Sequence, residues 1–124
     1  MSYVALVTNR FDEVSRFYGG LLGLSVVDQW DRTNARGRRF DAGGMRLEII
    51  DNAREQRPSE LGNPGDRVHI VIEVEDIDAA REGIKADASP VQDVSWGARI
   101  FRVEDPDGIP VTYLQWTEAQ REAS

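Results

Sequence analysis

Residues 67–75 read Arg67-Val68-His69-Ile70-Val71-Ile72-Glu73-Val74-Glu75, and the fold turns on their alternation. Val68, Ile70, Ile72 and Val74 form one apolar set, whereas His69, Val71 and Glu73 form the opposite one. A period of two with one apolar face marks a strand covered on one side. Downstream, 77–86 (IDAAREGIKA) reads as a helix, and strands follow at 91–95, 98–104 and 109–116. Asp105-Pro106-Asp107-Gly108 joins the last two strands and reads as a turn; it lacks the spaced ligands and bidentate Glu of a calcium loop.

Upstream the same order occurs. Residues 3–8 (YVALVT) read as a strand, and a helix follows with Val14, Phe17, Tyr18, Leu21 and Leu22 on one side. Asp12 and Glu13 suit its positive end, and Gly19, Gly20 and Gly23 close it. Strands at 24–31, 37–42 and 45–51 come next, the last two joined by the hairpin signal Gly43-Gly44. Residues 52–66, with two prolines, two glycines and many polar groups, read as a linker.

Equivalent positions in the two blocks keep a near-constant spacing. Tyr3 and His69 open the first strands 66 residues apart, and Asp12 and Asp78 begin the helices at the same spacing. Glu48 and Thr112, in the last strands, are 64 apart. This is the signature of a duplication. The expected fold is α+β: two tandem βαβββ modules forming a curved mixed sheet around a ligand cleft. One domain spans 1–124, with module one at about 1–51, linker 52–66, module two at about 67–116 and a tail at 117–124.

Composition narrows the chemistry. With 124 residues the chain should bury roughly two-thirds of its unfolded surface, enough for a core without staples. It has no cysteine, which excludes disulfide scaffolds, thiolate metal sites and thiol catalysis. It has one histidine, so a two-His metal site within one chain is impossible. A Ser-His-Asp triad would need His69, and no Gly-x-Ser-x-Gly turn presents a serine. Fifteen basic against 22 acidic residues give −7, which disfavours nucleic acid and would favour cationic ligands. The longest apolar run, Tyr3 to Val7, cannot span a bilayer, and no signal peptide is visible. A cytoplasmic protein without a membrane partner is expected.

Three stretches carry a resemblance to a known family: Phe17-Tyr18 through Leu22-Gly23-Leu24; Leu47-Glu48-Ile49; and Trp96-Gly97-Ala98-Arg99-Ile100-Phe101 followed by Asp105-Pro106-Asp107-Gly108. Together they resemble the vicinal oxygen chelate superfamily, the glyoxalase, bleomycin-resistance and extradiol dioxygenase group, over about residues 3–116. The third stretch is similar to its bleomycin-resistance branch. Metal-dependent members place four ligands in the cavity, and by register these positions are Tyr3, Glu48, His69 and Thr112. Only Glu48 and His69 are good ligands, and a catalytic metal normally takes about three from the protein. The resemblance therefore implies a site without metal or other cofactor, Glu48 and His69 being weak metal candidates.

Glu48 and His69 are also the catalytic candidates, as a base and acid pair if both point inward. Trp30, Phe40, Trp96, Phe101 and Trp116, with Tyr3, lie on strands or their ends and read either as core or as a stacking wall. Trp116 shares strand parity with Thr112. The four arginines among Arg32, Arg36, Arg38 and Arg39 read as a solvated hairpin tip.

The expected function is metal-independent binding of a small aromatic or cationic molecule, sequestering an antibiotic or other toxic hydrophobic compound. The resemblance implies a homodimer in which modules from different chains complete each cleft. Two alternatives are enzymes: a metal-dependent lyase, isomerase or dioxygenase using Glu48 and His69, and a metal-free biosynthetic enzyme using that pair for proton transfer.

Overall fold

The computed structural model describes residues 2–65 and 67–117. Its first module runs β1 (Tyr3–Thr8), α1 (Phe11–Arg16) continuing as a π-helical turn (Phe17–Leu21), β2 (Ser25–Arg32), β3 (Ala35–Ala42) and β4 (Met45–Asp51). The second runs β5 (Ile70–Glu73), α2 (Ile77–Gly83), β6 (Gln92–Val94), β7 (Ala98–Glu104) and β8 (Pro110–Trp116). The architecture is α+β with two tandem βαβββ modules. The strands form two separate four-stranded sheets, ordered β1-β4-β3-β2 and β5-β8-β7-β6. In each, the first strand lies parallel to the last and the remaining pairs are antiparallel. The spacing read from sequence reappears as pairing: Ala5 faces Glu48 across β1 and β4, and Val71 faces Thr112 across β5 and β8.

Local differences from the expected elements have local causes. β5 begins at Ile70 rather than 67, because Pro110, next in register before Val111, has no N–H to offer a ladder. α2 ends at Gly83 rather than 86: glycine is a weak helix former, and Ile84 is already extended. Lys85 N–H then bonds to the Leu21 carbonyl at 2.8 Å, tying the second module to the first. At the other end of α2, the Asp76 side chain caps the helix by accepting from Ala79 N–H at 3.1 Å. Near the end of the first helix, Gly19 lets Phe40 pack against the backbone; a Cβ there would stand 2.9 Å from the Phe40 ring.

One core unites the modules. Phe40, Leu47 and Ile49 from the first sheet join Ile70, Ile72, Phe101, Val111 and Tyr113 from the second, with Phe17 and Tyr18 from the first helix. Phe101 and Tyr113 stack with ring centres 4.7 Å apart. Both sheets give the same core their helix-side faces, so their other faces lie on its outer sides. Tyr3, Val71 and Trp96 are about half exposed there, at 48%, 48% and 49%. Among the described residues no helix is long and apolar enough to cross a membrane. Of the expected tail, 118–124 lie outside the described residues.

Candidate functional site

Strand pleat assigns each candidate to a face. Leu47 and Ile49 point into the core, so Glu48 between them points to the outer face of the first sheet. Arg39 lies directly opposite Glu48 on β3, and Asp28 opposite Arg39 on β2. Their side chains meet: Arg39 Nη2 donates to Glu48 Oε1 at 3.3 Å, and Arg39 Nη1 is 3.9 Å from Asp28 Oδ2. The guanidinium carbon sits 4.3 Å from the centre of the Tyr3 ring and 5.6 Å from that of Trp30. Trp30 in turn lies across Gly37, where any Cβ would collide with its indole. Tyr3, Trp30, Arg39 and Glu48 thus form one cluster. Glu48 is buried beneath it, at 5% exposure.

The outer face of the second sheet carries a different set. His69 is exposed just before β5, and Val71 and Glu73 follow on the same side. Thr112, Leu114 and Trp116 continue this face along β8. Trp116 Nε1 donates to Glu73 Oε1 at 2.9 Å, which fixes the indole. Trp96 meets it edge to face, the ring centres 5.6 Å apart. Val94, Ala98, Ile100 and Leu114 make the apolar floor beside Trp116.

Phe40 and Phe101 do not join either group. Both are fully buried on the helix side, because the pleat turns them away from Glu48 and Thr112, and they are core residues. The arginine-rich stretch is a solvated tip only at Arg32, beside the exposed turn at 33–34. Arg36 pairs with Asp12 at 2.7 Å and Asp51 at 3.5 Å and lies over Phe11, while Arg38 donates to Ser15 Oγ at 2.6 Å. These two tie β3 to α1, and Arg39, of opposite parity to Arg38, turns to the outer face. Sequence reading missed Arg39 and Glu73. Glu73 was signalled by its parity with His69, whereas Arg39 required the β3–β4 register.

Among the described residues, no hydrogen bond or ion pair joins Glu48 to His69, and no three His, Asp or Glu side chains group as a metal site would require. The four positions that the resemblance implies as metal ligands do not fit a divalent ion here. Tyr3 and Thr112 offer neutral hydroxyls, and Glu48 is engaged by a guanidinium whose charge would oppose a cation beside it. A hollow of about 930 Å³ lies at the module junction, between Phe17, Leu21, Lys85, Arg102 and Glu104. None of the candidate residues lines it.

The Asp105-Pro106-Asp107-Gly108 turn is a junction between the modules as well as a turn. Asp105 Oδ1 accepts from Asp107 and Ile109 N–H, both at 2.9 Å, and Oδ2 accepts from the Tyr18 hydroxyl at 2.7 Å. Burial holds the Asp105 carboxyl above the usual carboxylate range, against the pull of those hydrogen bonds. Burial, reinforced by the Asp105 charge, holds the Tyr18 phenol far above its ordinary value, so it remains a donor. Burial alone pushes Tyr113 up to about 12.

Comparison with known proteins places this geometry. The chain is 25% identical over 115 residues to the uncharacterized protein YraH of Bacillus subtilis (strain 168), covering 84% of this chain and 88% of YraH. Among solved structures, a glyoxalase/bleomycin resistance protein/dioxygenase from Nocardioides superposes with a TM-score of 0.70 at 25% identity, covering 94% of this chain and 83% of that one. The fosfomycin resistance protein FosX from Listeria monocytogenes superposes with a TM-score of 0.66 at 16% identity, covering 98% and 96%. The family model of the Glyoxalase/Bleomycin resistance protein/Dioxygenase superfamily matches residues 1–113. With two βαβββ modules of matching strand order and a match along nearly its whole length, the chain belongs to that superfamily.

Proposed function

We propose that this is a cytoplasmic, metal-independent binding protein of the bleomycin-resistance type that sequesters an aromatic small molecule, such as an antibiotic or another toxic hydrophobic compound. Fold alone does not decide between binding and catalysis, because the superfamily holds both. The observation that carries the reading is the state of Glu48: one of the two good ligands among the four implied metal positions is engaged by Arg39. Tyr3 and Trp30 beside it, and Trp96 and Trp116 on the outer face of the other sheet, supply aromatic walls with few polar groups.

In this reading the cleft needs two chains. The two outer faces lie on opposite sides of one core, so the Tyr3–Glu48 face is completed by the His69–Trp116 face of a second copy, in a two-fold homodimer. Half-exposed Tyr3, Val7, Val71 and Trp96 are then covered.

The test is a panel of aromatic natural-product antibiotics, titrated without added metal and followed by tryptophan fluorescence. Saturable quenching with the ligand recovered unchanged by mass spectrometry is expected. A turned-over product makes the protein an enzyme, and no binding at high micromolar concentration removes the sequestration reading.

A further inference from the structure

Arg39 is engaged unevenly. A guanidinium carries five N–H donors in a fixed planar fork. One of them bonds to Glu48, and the Asp28 carboxylate is 3.9 Å from Nη1, beyond hydrogen-bond length. Nε is buried and has no acceptor among the described residues. Buried donors are almost always satisfied, and a charged one left unmade is costly. Such a donor points to an acceptor that the isolated chain lacks.

The surroundings say which acceptor suits it. Tyr3 covers one face of the guanidinium and is half exposed, at the start of β1. A planar ring packed beside the half-exposed Tyr3 would bring a substituent to the Nε edge of the guanidinium. The Arg39 charge is already balanced by Glu48, with Asp28 beyond, so an added carboxylate would meet two negative groups. A neutral oxygen meets no such repulsion.

We infer that Arg39 is the ligand-anchoring hydrogen-bond donor of this cleft, receiving the carbonyl oxygen of a planar aromatic ligand on its Nε–H. The inference rests on the aromatic-ligand reading above and adds the chemical group that the site recognises. Glu48 is then a positioning residue, holding the guanidinium plane, rather than a ligand to a cation or a base.

Coumarin and 2H-chromene, which differ in the lactone carbonyl, are the probes, with coumarin-3-carboxylate as the anionic arm. Each is titrated into the intact protein while the arginine Nε–H resonances are followed by ¹⁵N NMR, the Arg39 signal being assigned by its loss in Arg39→Lys. Coumarin should shift that signal and bind about tenfold more tightly than chromene, as a hydrogen bond from a charged donor supports. Arg39→Lys keeps the positive charge but removes the fork, and should bring the two affinities together. Thermal melts of the variant check that it is folded, and Arg39→Gln provides a second substitution in which the preference must also vanish. Equal binding of coumarin and chromene, or a preference that survives both variants, overturns the inference while leaving the aromatic-ligand reading in place. Tighter binding of the carboxylate than of coumarin overturns the neutral-carbonyl assignment. Failure of all three probes to bind counts against this inference and against the reading beneath it.

Discussion

The Tyr18 hydroxyl donates to the Asp105 carboxylate at 2.7 Å, joining the end of the first module's helix to the β7–β8 turn of the second across 87 residues of chain. Both partners are buried, at 0% and 4% exposure. The bond closes the junction under the two sheets, with Arg10 Nη1 reaching the Pro106 carbonyl at 3.2 Å on its exposed rim.

Tyr18→Phe keeps the ring and removes the donor, leaving Asp105 Oδ2 buried without its partner. Urea unfolding should show a loss of about 1–3 kcal/mol, the usual cost of an unsatisfied buried polar group. A loss near zero would mean that water satisfies the carboxylate.

The Asp105 carboxyl is raised in the folded state, so folded protein binds its proton at a pH where unfolded protein does not. Below its raised value, and down to the ordinary carboxylate value, this group therefore adds stability as pH falls. Stability of the parent relative to Asp105→Asn should rise as pH falls from 7 toward 4. Denaturant titrations of both proteins at each pH measure it, and a difference that stays flat or falls contradicts the assigned direction.

Protein purified without chelator should hold well under one equivalent of divalent metal, because Arg39 engages Glu48 and two of the four positions implied by the resemblance, Tyr3 and Thr112, are hydroxyls. Elemental analysis reads this directly. Stoichiometric nickel, zinc, manganese or iron that disappears in Glu48→Ala would restore the metal-dependent alternative.

Gly37→Ala should push Trp30 off the strand, since the new Cβ collides with the indole. Overpacking of this kind costs about 1–3 kcal/mol. A shifted tryptophan emission together with weakened ligand binding is the expected signature, and an unchanged spectrum would place Trp30 elsewhere.

Light scattering at micromolar concentration should give about twice 13.9 kDa. A stable monomer throughout that range would leave the outer faces uncovered and the two-chain cleft unsupported. Under the same conditions, Trp116→Ala should weaken ligand binding by about 1–3 kcal/mol if its Glu73-fixed ring is an anchor.

The sequence by itself determined the module order and the face on which most strand residues lie. Both follow from local rules: side chains alternate along a strand, and the 66- and 64-residue spacings carry that alternation from one module to the next. The pairing of Ala5 with Glu48 and of Val71 with Thr112 follows that spacing. Phe40 and Phe101 escaped because an aromatic on a strand suits a core or a wall equally well, and only their helix-side parity separates the two. Arg39 escaped for a non-local reason. Nothing near it in the chain marks it off from Arg36 and Arg38, which bond to the first helix. Its role appears only once β3 sets it against Glu48 on β4, between the rings of Tyr3 and Trp30. Tertiary structure also decided that the candidate faces turn away from each other, because both sheets bury their helix sides in one core. Periodicity fixes which side of a strand a residue takes; only packing fixes what that side meets.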